Sequence, residues 1–189
     1  MNLSFIIRQC VVNLHCLLLA AYMCIDESLY HQTILYPLSY HTMEEKSVEI
    51  QGMQVQWQFQ ANGFVEFTVS TPSTGWVALG FNTEDDIVHT NLIMASVKSG
   101  VLRIEDQYVV QAGQHPNVAS LGASPQVQDA QGLETNGRTT VRFRLPQQAS
   151  SRYHYNLTEA AEVFFICAFS TDDDFRHHSA MRQHIRVRL

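Results

Sequence analysis

The stretch Gln54-Val55-Gln56-Trp57-Gln58-Phe59-Gln60 constrains the fold most, because every second side chain is apolar and every other one is glutamine. A period of two puts Val55, Trp57 and Phe59 on one face of a strand, whereas on a helix they would scatter around the axis. One buried and one wet face mark an antiparallel strand at the surface of a core. Ala61-Asn62-Gly63 follows, and Asn-Gly is a strong hairpin signal because both residues tolerate positive φ. Phe64 to Val69 is the return strand. Thr139 to Leu145 repeats the alternation, with Val141, Phe143 and Leu145 inward and Thr140, Arg142 and Arg144 outward.

A different pattern occupies Gly75-Trp76-Val77-Ala78-Leu79-Gly80-Phe81-Asn82, a continuous apolar run of strand length. Such a run reads as a strand buried on both faces, and its glycines mark a bulge or a close backbone approach. Thr71-Pro72-Ser73-Thr74 before it is a turn, and so is the acidic segment Glu84 to Asn91 after it. Strands then follow at Leu92–Val97 and, after the turn Lys98-Ser99-Gly100, at Val101–Val110. Residues 111–138 lose periodicity and read as a long loop, either functional or partly disordered. Tyr153 to Glu162 reads as a short helical turn carrying the sequon pattern Asn156-Leu157-Thr158. Val163–Phe169 is a buried strand and His184–Leu189 a terminal one. About eight to ten short strands, with no amphipathic helix, predict an all-β fold, an antiparallel immunoglobulin-like β-sandwich.

The N-terminus stands apart. Residues 1–24 have one basic residue, Arg8, before a short apolar core that Asn13 and His15 interrupt, which fits a secretory signal peptide better than a membrane span. Residues 25–45 form an N-terminal extension, with Thr33–Tyr36 as a short edge strand before Pro37. Residues 46–189 form the domain. Three of the four cysteines, Cys10, Cys16 and Cys24, fall in or beside the leader. Only Cys167 remains in the body, so no internal disulfide is expected there and no cysteine-based zinc site can form. The expected location is secreted or cell-envelope, periplasmic in a bacterial host. Membrane association is left to an uncleaved leader or a lipid on Cys24. With 18 acidic against 12 basic side chains, nucleic acid is excluded as the main partner.

Chemistry concentrates in two places. Asp172 to His184 holds three acids, three histidines, two arginines and Met181 between a buried strand and the terminal strand. Imidazole and thioether are haem or metal ligands, and arginine pairs with carboxylates. A solvated, charge-balanced loop accounts for the same composition. On the terminal strand, parity sets His184 with Arg186 and Arg188, away from the core. The turn Glu84–Asn91 offers carboxylates for a hard divalent cation, with His89 beside them, although its spacing matches no EF-hand loop; a plain polar turn is the alternative. His89, His178 and His184 are the candidate metal ligands. Trp57, Trp76 and Tyr108 read as core aromatics. The chain shows no Gly-x-Ser-x-Gly elbow, phosphate-binding glycine loop, His-Glu-x-x-His helix or other nucleophile–base pair, so catalysis by the chain itself is not expected.

The segment Gly75–Asn82, the acidic turn, Asn91-Leu92-Ile93-Met94-Ala95, and Arg103–Tyr108, together with histidines before a short final strand, resemble the DOMON domain. The resemblance spans about residues 46–189 and implies a ligand-binding sandwich. Members similar to the cytochrome domain of cellobiose dehydrogenase hold haem b between a methionine in the loop after Gly-Phe and a histidine near the C-terminal strand. Here Ile87 or its neighbours take the methionine's place, and the nearest donors are His89 and Met94. The C-terminal histidine is His178, followed by Arg182, or His184. The cofactor-binding set implied is therefore His89, Met94, His178, His184, Arg182 and Trp76, with bis-histidine ligation by His89 and His178 as one form. The function implied is a stand-alone exported module that binds haem b and exchanges electrons with a redox partner protein. The alternative is a non-redox binding module for a carbohydrate or another small-molecule ligand, with or without a cation.

Overall fold

A computed structural model describes residues 45–189. The leader, Cys10, Cys16, Cys24 and the strand expected at Thr33–Tyr36 lie outside the described residues.

Ten strands form two five-stranded antiparallel sheets. In chain order they are β1 (Lys46–Ile50), β2 (Met53–Phe59), β3 (Phe64–Thr71), β4 (Val77–Asn82), β5 (Asn91–Lys98), β6 (Val101–Tyr108), β7 (Gln128–Thr135), β8 (Arg138–Pro146), β9 (Glu162–Phe169) and β10 (Met181–Arg188). The first sheet runs β1-β2-β3-β8-β7 and the second β10-β9-β4-β5-β6. The sandwich expected from the alternation is therefore the fold. The inward residues of both sheets meet in one apolar core. Phe67 sits at its centre, with ring centroids 5.2 Å from Phe81, 5.6 Å from Phe143 and 6.2 Å from Phe165. Trp57 meets Phe165 edge-on at 5.3 Å, as a core aromatic should.

Three expectations are corrected. Residues 111–138 are not one irregular loop: they contain a 3-10 helix, Val118–Leu121, and β7. β7 pairs only with β8, and its side chains are mostly exposed, so its sequence carries no alternation to read. The segment expected to hold a helical turn, Tyr153–Glu162, is built of isolated turns, such as the bond from Ala161 N–H to the Thr158 carbonyl. The terminal strand begins at Met181, three residues before His184.

Strand β4 is buried along its whole length, as its apolar run requires. Val77, Leu79 and Phe81 face the sandwich core, while Trp76 and Ala78 belong to a second apolar cluster with Leu92, Met94, Val109, Ala168 and Phe175. That cluster lies on the far side of the second sheet. Its glycine is a close approach: a Cβ on Gly75 would lie 2.4 Å from the Asp172 backbone nitrogen and 2.5 Å from the Ser170 carbonyl. Only glycine lets the chain entering β4 lie against the chain leaving β9.

Candidate functional site

The second cluster floors a cavity of about 810 Å³. That volume falls in the roughly 300–1,000 Å³ range of small-molecule and cofactor sites. Register explains the floor. Ala78 lies opposite Met94 on β5 and Ala168 on β9, and Gly80 lies opposite Leu92 and Ile166. Residues directly opposite share a face, so Ala78, Leu92, Met94, Ile166 and Ala168 form one apolar surface.

Three loops wall it. The β9–β10 loop contributes Phe175, Arg176, His177, His178 and Ser179. It is tied to the floor because Trp76 Nε1 donates to the His177 carbonyl at 3.2 Å and Trp76 N–H donates to the Asp172 carbonyl at 2.9 Å. The β4–β5 turn contributes Ile87. Asn82 shapes that turn by donating from Nδ2 to the carbonyls of Asp86 at 2.8 Å and Val88 at 3.0 Å. The segment after β6 contributes Val109, Val110 and Gly113 to Pro116, including His115.

Of the residues singled out from sequence, Trp76, Met94, His178 and Arg182 line this cavity. Trp76 is therefore a wall of the outer cluster and not part of the sandwich core. His89 and His184 are not among the lining residues. His89 has φ +69° and lies on the ring of Tyr108, centroids 6.3 Å apart. His184 is on the strand face that parity assigns, with Nδ1 2.8 Å from Asp85 Oδ1. Tyr108 is half-buried against His89 and Tyr153, outside the core. Two carboxylates of the acidic turn are already engaged: Asp85 meets His184, and Asp86 Oδ1 accepts from Val88 N–H at 2.9 Å. Among the described residues, no three His, Cys, Asp or Glu side chains gather in a metal-holding arrangement. His89, His178 and His184 thus do not form one centre.

The two cavity arginines differ. Arg176 is bound to Asp174, and its hydrogen bonds draw that carboxyl down to about 2. Arg182 has no carboxylate partner among the described residues. It is free to meet an anionic group of a ligand.

Sequence reasoning missed His115. It stands in the aperiodic stretch, and the only signal was the length of that stretch. A second constellation was also missed. Ser151 Oγ lies 2.8 Å from His154 Nδ1, and His154 Nε2 lies 3.1 Å from Asp106 Oδ2. A serine, a histidine and an aspartate are thus aligned, contrary to the expectation that no nucleophile–base pair exists. The histidine and aspartate side chains are almost wholly buried, and none of the three lines the cavity. The arrangement ties the β8–β9 connection to strand β6.

The DOMON family model matches residues 49–170. The chain belongs to the DOMON family. The cytochrome b domain of pyranose dehydrogenase from Coprinopsis cinerea is similar, with a TM-score of 0.54 at 11% identity over 76% of this chain and 81% of that one. The cytochrome domain of Myriococcum thermophilum cellobiose dehydrogenase gives 0.48 at 7% identity, over 78% and 82%. No curated protein matches the chain in sequence. At 11% identity the pyranose dehydrogenase domain speaks for a shared fold alone. Within this DOMON domain the outer-face cavity is the place where lining chemistry and volume both suit a ligand.

Proposed function

We propose that this DOMON domain binds haem b in the outer-face cavity and acts as an exported electron-transfer module. One observation carries the reading: an apolar sheet face, solvent-facing in most sandwiches, is buried here around a thioether and rimmed by imidazoles and guanidinium groups. The donor set suits the group. Met94 offers a soft sulfur from the floor, His115, His177 and His178 offer imidazoles from the rim, and Arg182 offers a cation for a propionate. Ala78, Leu92, Ile166 and Phe175 supply the apolar surface a macrocycle would cover. A haem held by two protein ligands supplies one-electron chemistry. The residues of this chain bind it, exclude water from it and set its ligands. Export rests on the apolar leader in residues 1–24.

A second reading rests on Ile87. This residue lines the cavity where the haem-holding relatives were expected to place a thioether, and it carries no donor atom. On that reading the cavity takes an apolar ligand with an anionic group for Arg182, without iron. Adding hemin to the full chain separates the two. Stoichiometric uptake with a low-spin absorption spectrum is expected, and Met94→Leu should alter that spectrum. No uptake by the wild type, with uptake gained in Ile87→Met, would favour the second reading.

A further inference from the structure

His115 is held by a chain of side chains that runs along the edge strand β6. Arg103, Glu105 and Gln107 alternate along β6, and register sets Glu105 opposite Met94 and Gln107 opposite Leu92. They therefore share the face of the cavity floor. At one end the Arg103 guanidinium lies 4.0 Å from the centroid of Phe175, a wall residue of the β9–β10 loop. Arg103 Nε donates to Glu105 Oε1 at 3.0 Å, and Gln107 Nε2 donates to Glu105 Oε2 at 2.8 Å. At the other end His115 Nδ1 lies 2.7 Å from Gln107 Oε1.

These contacts fix the tautomer. A carboxylate only accepts, so Glu105 claims the amide nitrogen of Gln107 and turns its oxygen to His115. That oxygen also only accepts, so Nδ1 of His115 carries the proton. The lone pair of a neutral imidazole held this way is on Nε2. His115 Nε2 has no hydrogen-bond partner among the described residues, and His115 is one of the residues that line the cavity. The partner behind Nδ1 leads to a carboxylate, the outer-shell arrangement that orients an imidazole ligand and raises its basicity.

Among the described residues, the other rim histidines have no partner that leads to a carboxylate. His177 is exposed, and its Nδ1 lies 3.2 Å from the hydroxyl of buried Ser170 and 3.1 Å from the backbone carbonyl of His178. The His178 ring is exposed and has no side-chain partner among the described residues. His115 alone of the three is half-buried.

We propose that His115 is the imidazole that ligates haem iron in this cavity, through Nε2, and that Gln107 and Glu105 are its positioning residues. The proposal rests on the haem reading above. Two measurements on the full chain test it. In the haem-free protein, long-range nitrogen–proton correlation of the His115 ring should show the Nδ1–H tautomer; an Nε2–H tautomer would overturn the assignment. In the reconstituted protein, His115→Ala should lose the low-spin spectrum, while His177→Ala and His178→Ala keep it. Added imidazole should restore the spectrum in His115→Gly, which a merely structural histidine would not allow. Gln107→Leu should weaken haem binding about 10- to 100-fold. A wild-type chain that takes up no haem would overturn the haem reading itself. Uptake with an unchanged His115→Ala spectrum, or loss in His177→Ala or His178→Ala instead, would overturn only this ligation.

Discussion

Asp106 answers three donors with two buried oxygens: Asn91 Nδ2 at 2.7 Å, Gln126 N–H at 2.8 Å and His154 Nε2 at 3.1 Å. It therefore joins β5, the segment before β7 and the β8–β9 connection at one point. Removing the carboxylate takes the acceptor from His154 Nε2, Asn91 Nδ2 and Gln126 N–H at once, and with each buried donor left unsatisfied costing about 1–3 kcal/mol the loss should be about 3 kcal/mol or more. Asp106→Ala should lose that much stability in urea titration. Ser151→Ala removes one hydrogen bond at the edge of this network and should cost only about 1 kcal/mol. Similar losses from the two variants would refute the hierarchy. None of this was legible in the sequence, because residues 91, 106, 126 and 154 carry no spacing pattern; the fold alone brings them together. Histidine abundance misled in the other direction. His184 sits on the correct strand face but is taken up by Asp85, a partner 99 residues away that no local pattern names.

At the scale of the strand, what the sequence disclosed follows from parity. β2, β3 and β8 each bury alternate residues, and the inward set expected for β8 is the set observed. β4 and β5 are buried on both faces, and the continuous apolar run is the reason this could be read. The edge strand β7 has no buried face to leave a period, so it was read as loop. Met94 illustrates the limit. An apolar run shows that its strand is buried but not what covers each face, and the burial of that strand's outer face is what gives Met94 a cavity to line. The outer face of the first sheet is different: a charged ladder covers it. Glu66 on β3 meets Arg142 at 2.7 Å and Arg144 at 3.1 Å, and Arg144 reaches Asp129 on β7 at 2.9 Å. Burial would raise the Glu66 carboxyl, but hydrogen bonds and charge from both arginines outweigh it and leave it below its ordinary value. A carboxylate depressed on folding contributes stability above its unfolded pKa, about 4.3, and that contribution disappears as pH falls through the folded value. Glu66→Gln should therefore be less stable than wild type at pH 7 by roughly 1–2 kcal/mol. The urea midpoints of the two proteins should converge as pH drops below about 4. A gap that persists unchanged in acid would show that the loss is one of packing.

The two outer faces together define the molecule. One sheet presents ion pairs to solvent, and the other buries a second apolar cluster beneath three loops, so the sandwich has one charged outer side and one that encloses a cavity. The core between them is continuous and should open as a unit. Cys167, on the inner face of β9, is fully buried and reports that opening. Burial pushes its thiol up to about 12, so the thiolate that reacts with alkylating reagents is scarce as well as inaccessible. With Cys10, Cys16 and Cys24 replaced by serine, Cys167 should resist iodoacetamide for hours at pH 8 and react fully in guanidinium. In low urea its labelling rate should rise with the same slope as the global unfolding free energy, because no local opening of a two-faced buried strand exposes it. On the haem reading proposed above, hemin added to the same protein should slow labelling further, because a ligand of the folded state lowers the unfolded population in proportion to its binding. Labelling within minutes under native conditions, or a urea dependence much shallower than that of global unfolding, would show that the second sheet opens without the first.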